Sequence, residues 1–177
     1  MTYIFTALKP EAQAFVDKFR LQKERIGHFT IFSNTQIRVI VSGLGVEKMQ
    51  ECCQYMQTYF HISKDDIVIN IGIAGANSNY KIGSLVEIGT IEYHNQTVEV
   101  NKNLNEHLTC LDFEAKCNEY QIVDMESFGF YKPFGEYHNR YIFKVISDHF
   151  QPEKVTKDST KKLIYKKIDE ILKKGQR

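Results

Sequence analysis

Acidic residues stand at three predicted element ends: Glu11 near a helix start, Asp124 and Glu126 ahead of an aromatic helix, and Asp148 behind an apolar strand. A carboxyl group can carry a proton in a reaction or accept hydrogen bonds from a bound molecule. It can equally complement a helix dipole, and that ordinary role accounts for Glu11, Asp124 and Glu126 when each is taken alone. Asp148 follows a strand instead, a place where an aspartate caps the next helix or turn. A second chemical signal is Ile67-Val68-Ile69-Asn70-Ile71-Gly72-Ile73-Ala74-Gly75-Ala76. Its glycines let the chain turn sharply and let its backbone come close to another group. The spacing is not G-x-G-x-x-G and no G-K-[ST] follows, so neither a dinucleotide fold nor a P-loop is supported.

These residues need elements to hold them. The β-branched run from Ile67 predicts a strand buried on both faces, with its glycine-rich end as a turn outside the sheet. Thr2–Thr6 reads as another strand, and Pro10 suits the first turn of a helix whose buried face carries Ala12, Phe15, Val16 and Phe19. Residues 28–33 and 36–41 read as a hairpin that runs into Ser42-Gly43-Leu44-Gly45. A helix follows over 47–60, with Met49, Cys52, Cys53 and Met56 inward. Residues 82–88 predict a turn and a strand, and 91–100 an exposed hairpin. Asp124 to Ser127 reads as a helix start with acids in its first turn, and Pro133 as that helix's end. Residues 141–146 form a second apolar strand, and 159–174 one amphipathic helix. Strands alternate with helices throughout, which argues an α/β class in one domain over 1–177.

The composition narrows the function classes. A chain of 177 residues with 42% hydrophobic and 25% charged residues can bury one sizeable core. The net charge of +1 gives no global case for nucleic acid or membrane. No apolar run spans a bilayer and no signal-peptide pattern opens the chain, so a cytoplasmic location is expected. Cys52, Cys53, Cys110 and Cys117 lack metal-ligand spacing and read as reduced core thiols.

Taken in order, the pieces resemble the nucleoside phosphorylase family, and especially its methylthioadenosine/S-adenosylhomocysteine nucleosidase branch. Ala7-Leu8-Lys9-Pro10-Glu11 matches that branch's A-M-x-x-E, and Ser42-Gly43-Leu44-Gly45 its S-G-I-G. Ile69 to Gly75 matches I-N-T-G-x-A-G, and Ile82 to Val86 matches V-G-D-I-V. Asp112-Phe113, Val123 to Glu126 and Ile146-Ser147-Asp148 match x-D-x-F, V-x-M-E and I-S-D. The resemblance spans residues 1 to about 150 and implies a three-layer α/β/α phosphorylase/hydrolase-like fold with a central twisted mixed sheet. This chain is shorter than family members, mostly between Tyr93 and Asp124. Gln151 stands where the family has a second aspartate, and Ile73 where a serine or threonine is common.

By that resemblance the reaction is cleavage of an N-ribosidic bond in a small adenosine-like nucleoside. Asp148 is the general acid for purine N7, a role that requires a protonated carboxyl, and Ser147 orients it. Glu11 holds and deprotonates the attacking water. Glu126 accepts hydrogen bonds from ribose hydroxyls, Met125 packs on the sugar and Phe113 stacks on the base. Ile73, Ala74 and Gly75 form the substrate-binding glycine turn. Without the resemblance, Phe113 and Met125 read as core. No arginine falls in a matching phosphate motif, so water is preferred to phosphate as nucleophile. A phosphorylase, and a shortened descendant that binds a nucleoside or a protein partner, are the other readings. No metal or organic cofactor is implied. A homodimer is expected, with Phe128 to Phe134 and the apolar face of Met49 to Phe60 as pairing surfaces.

Overall fold

The computed structural model describes residues 1–116 and 119–175. The chain runs β1 (Thr2–Thr6), α1 (Lys9–Phe19), β2 (Gln22–Ile26), β3 (Phe29–Ser33), β4 (Ile37–Val41), α2 (Val46–Tyr59), β5 (Ile67–Ala76), β6 (Leu85–Glu87), β7 (Thr90–Tyr93) and β8 (Gln96–Glu99). It continues through β9 (His107–Cys110), β10 (Ile122–Asp124), α3 (Ser127–Phe134), β11 (Arg140–Asp148), α4 (Lys157–Tyr165) and α5 (Ile168–Gly175). The strands form one mixed sheet around β5. Val68, Ile69 and Ile71 are wholly buried, as a β-branched strand covered on both faces should be.

The pairing of β5 is the feature that makes a site. β11 runs parallel to it from Val68 to Gly75. β1 pairs in parallel with Ile67–Asn70, and β10 pairs antiparallel with Gly75 and Ala76. Since β11 spans both segments, β1 and β10 must share the opposite edge of β5. They part between Asn70 and Gly75, and the sheet forks there. The expected turn at Gly72 and Gly75 is therefore corrected: both glycines lie inside a strand that stays paired to its end. Their use is close approach. A Cβ on Gly72 would sit 3.0 Å from Glu11 Oε1, and one on Gly75 would sit 3.5 Å from Asp148 Oδ1.

Helices cover both faces. Met49, Cys52, Cys53 and Met56 of α2 and Phe128, Phe130 and Phe134 of α3 pack with Phe5 and Val68. Ala12 and Phe15 of α1, Ile164 of α4, and Ile168 and Ile171 of α5 pack with Ile69, Ile71 and Phe143 on the other side. The surfaces expected to pair two copies are thus interior: Phe130 and Phe134 are 0% exposed, as are Met49, Cys52, Cys53 and Met56. The expected single tail helix is two, broken at Lys166 and Lys167, with Ile164, Ile168 and Ile171 all packed inward. β2, Gln-Lys-Glu-Arg-Ile, has no apolar alternation to announce it, and its charges suit an exposed edge strand. Pro133 does not stop α3 where expected; the helix continues one residue to Phe134. Cys52, Cys53 and Cys110 are buried free thiols, and Cys117 lies outside the described residues. No described helix is long and apolar enough to cross a membrane.

Candidate active site

Glu11 reaches the fork from the first turn of α1. Its Oε2 accepts the amide N–H groups of Ala7 and Leu8 at 3.0 and 2.9 Å, satisfying donors that a helix start leaves unpaired. Its Oε1 accepts the N–H of Ile73 at 3.0 Å, an amide on the stretch of β5 that neither β1 nor β10 pairs. Burial raises the Glu11 carboxyl above the ordinary range, against the three amides and Lys144, which stabilise its charge.

Beneath it lies a buried polar network on the α2/α3 side. Lys144 of β11 donates from Nζ to Asn70 Oδ1 and pairs with Asp124 Oδ2, each at 2.7 Å. Asn70 Nδ2 donates to Phe5 O, which ties the network to β1. Asp124 Oδ2 also accepts Ser127 N–H at 3.0 Å and the Ser127 hydroxyl at 2.5 Å. Asp124 therefore ends β10 and caps α3 from outside, and the expectation of acids within that helix's first turn is corrected. Its Oδ1 is buried with no hydrogen-bond partner among the described residues. Glu126 sits at the cap position of α3 and reaches the start of α2, accepting Gly45 N–H at 2.9 Å. Gly45, at φ +100°, adopts a backbone conformation suited to glycine, so the S-G-L-G loop delivers that N–H. Burial first, and then the Asp124 charge, push Glu126 up to about 7, while Lys144 pulls it down. Burial works against the Lys144 cation, but Asp124, Glu126 and Glu11 outweigh it and raise its pKa.

Asp148 ends β11. Its Oδ1 accepts Gln151 N–H at 2.7 Å, so the ordinary turn-capping role is present. Phe150 is left-handed at φ +57° within that turn. Asp148 Oδ2 lies 2.6 Å from Ser147 Oγ, which also lies 3.2 Å from Ala74 O. One hydroxyl proton serves one acceptor at a time. Ser147 can donate to an ionised Asp148, or donate to Ala74 O and accept from a protonated one, so it suits both states.

These groups face a common cleft of about 320 Å³, a volume within reach of a small ligand. Glu11, Ile73, Ala74, Gly75, Phe113, Met125, Glu126, Ser147 and Asp148 all line it, brought from five separate segments of the chain. Phe113 is 65% exposed at its wall and Met125 is half-buried, so neither is a core residue. Sequence reasoning missed Lys144, Asn70 and the cleft residue Asp124 as a connected set. Each of the first two is a lone polar residue inside an apolar strand, Ile-Asn-Ile and Phe-Lys-Val, and that interruption was the available signal.

No protein-family model matches the sequence, and no curated protein does. Solved structures place the chain in the nucleoside phosphorylase/hydrolase fold class, the three-layer α/β/α architecture expected above. The fold is that of the methylthioadenosine/S-adenosylhomocysteine nucleosidases. The enzyme of that name from Helicobacter pylori, solved with butyl-thio-DADMe-Immucillin-A, is similar with TM-score 0.80 at 15% identity, over 98% of this chain and 97% of that one. The S. pneumoniae nucleosidase with the transition-state inhibitor MT-ImmA gives 0.79 at 16% identity, over 97% and 96%. Futalosine hydrolase of Helicobacter pylori gives 0.73 at 15% identity, over 96% and 97%.

Proposed function

We propose that this protein is a purine nucleosidase that cleaves the N-ribosidic bond of a small adenosine-like nucleoside with water. The observation that carries the reading is the convergence of Glu11, Glu126 and Asp148 on one cleft, with a single buried cation, Lys144, beneath them. A ribosyl group losing its base becomes oxocarbenium-like, and a preorganised excess of carboxylates favours that charge over the neutral ground state. Asp148 protonates the departing base at N7 and Ser147 follows its change of state. Glu11, made more basic by burial, holds the water and takes its proton. Glu126, with the unpartnered Asp124 Oδ1 nearby in the same wall, receives the ribose hydroxyls. Met125 packs on the sugar and Phe113 on the base. Ile73 has no hydroxyl to offer an anion and its N–H is already donated to Glu11, which favours water over phosphate as nucleophile. The solved structures similar in fold are named as nucleosidases and a futalosine hydrolase, which supports hydrolysis. We further propose a cytoplasmic homodimer, supported by the free buried thiols and by the stacked, outward Tyr55 and Tyr59, 41% and 53% exposed.

The test is release of free base from a nucleoside panel, with and without phosphate, for wild type and Asp148→Asn. Asparagine keeps an oxygen for Gln151 N–H but delivers no such proton, so turnover should fall by roughly a hundredfold to ten-thousandfold with the melting temperature nearly unchanged. Glu11→Gln should also lose turnover. Wild-type rates in Asp148→Asn would overturn the mechanism.

A further inference from the structure

The end of β11 carries one residue more than the stretch of β5 beside it. Its register is even from Arg140 against Val68 to Ile146 against Ala74, and then slips, so that Asp148 stands opposite Gly75. Ser147 is the extra residue. Strict alternation would send Ser147 and Asp148 to opposite faces of the sheet, whereas after the slip both line the cleft. Such a slip re-aims a side chain and also interrupts the ladder that would fix it. β5 runs on to Ala76, past its last β11 partner at Asp148.

Side chains on either side of Asp148 take over where the ladder slips. Ser147 Oγ lies 3.2 Å from Ala74 O, and His149 Nδ1 lies 2.9 Å from Ala76 O. A carbonyl only accepts, so Nδ1 is the ring nitrogen that carries a proton there. The two contacts bracket the Asp148–Gly75 pair, one carbonyl before it and one after. They are not equivalent. Ser147 Oγ is also 2.6 Å from Asp148 Oδ2, and it gives up Ala74 O when it donates to the ionised carboxylate. The Gln151 N–H on Asp148 Oδ1 belongs to the turn itself and moves with it. Phe150 packs with Ala115 and Val123, apolar contacts without the direction of a hydrogen bond. Among these side-chain contacts, that of His149 is the directed one to β5 that stays the same whether Asp148 is protonated or ionised.

Resting on the nucleosidase reading, in which Asp148 gives its proton to the base, we propose that His149 is a positioning residue for that acid. Its hydrogen bond to Ala76 O holds Asp148 at one place against the purine while Ser147 changes partners. The test is a double-mutant cycle on release of free base from the best nucleoside of the panel. His149→Leu and His149→Asn have one shape, but only asparagine keeps a donor, its Nδ2 standing where Nδ1 of histidine stands. His149→Leu should lower kcat about tenfold or more with KM within about twofold, since misplacing a reacting group slows the chemistry and spares binding. His149→Asn should recover most of that loss. Because His149 acts through Asp148, His149→Leu should change the residual rate of Asp148→Asn by less than about twofold. His149→Phe, which keeps a ring and lacks the donor, repeats the comparison if the leucine variant melts early. A wild-type kcat in His149→Leu or His149→Phe means that the packing of Phe150 suffices, and overturns the proposal. So does a His149→Asn as slow as His149→Leu, or a full tenfold loss on the Asp148→Asn background, either of which makes the histidine a general support of the cleft. If wild type cleaves and Asp148→Asn does not, while the His149 variants keep full rate, this proposal fails and the nucleosidase reading stands. If wild type cleaves no nucleoside, both fail.

Discussion

In the proposed mechanism, Glu126 is the residue on which binding and stability meet. Its carboxyl is pushed to about 7 by burial and by Asp124, against about 4.5 in an unfolded chain. Between those values the folded protein holds more protons than the unfolded one, so stability falls as pH rises from about 4.5 to about 7, by on the order of 3 kcal/mol. Melting curves across that range should show the decline, and Glu126→Gln should flatten it. The same ionisation should make kcat/KM rise through about pH 7, because the charged carboxylate is the better acceptor for ribose hydroxyls. Lys144 gives the opposite case, a cation whose removal strands its partners. Lys144→Met would leave Asp124 and Asn70 without their buried donor and should cost about 3–5 kcal/mol in urea unfolding. A loss below about 1 kcal/mol would mean that the network relaxes around the gap.

The carboxylates owe their positions to how elements meet. Glu11 is useful because β1 and β10 leave the edge of β5 between Asn70 and Gly75, freeing the Ile73 amide. Glu126 reaches Gly45 because α3 touches the start of α2, and Gly129 permits that contact: a Cβ there would overlap the carbonyl oxygen of Val46. Gly129→Ala should therefore push the helices apart, costing about 1–3 kcal/mol by overpacking. It should also raise KM for the nucleoside, since Glu126 moves with α3. A variant that melts lower but keeps wild-type KM would separate the helix contact from the site.

At the scale of the whole molecule, the α2/α3 layer is an interior. The aromatic rings of α3 pack against Phe5 of β1, with ring centroids 5.7 Å apart for Phe130 and 5.5 Å for Phe134. The exposed large hydrophobic residues of α2 are Tyr55 and Tyr59, with rings 6.2 Å apart. If two copies pair through that face, light scattering at micromolar concentration should give twice the 20.7 kDa chain mass, and Tyr59→Glu should halve it. A monomer mass for the wild type would end the dimer proposal.

Local patterns in the sequence carried the element order. The β-branched run of β5, the helical spacing of α2 and the apolar strand before Asp148 each reflect burial periodicity, which is written residue by residue. The three-layer fold and the reading of the motifs from Glu11 to Asp148 came instead from the resemblance to the nucleoside phosphorylase family; alternation of strands and helices by itself argued only the α/β class. The glycines of β5 were misread as a turn because glycine signals close approach and chain reversal alike, and only the partners across the sheet distinguish them. The Lys144–Asp124–Asn70 network joins residues 20 and 74 positions apart along the chain, so no local pattern encodes it. Likewise, Lys9, Lys48 and Lys157, far apart in the sequence, line one groove because the fold gathers their helix starts together. Charge is a property of the sequence, but whether charges face one another is decided by the sheet and the helices that carry them.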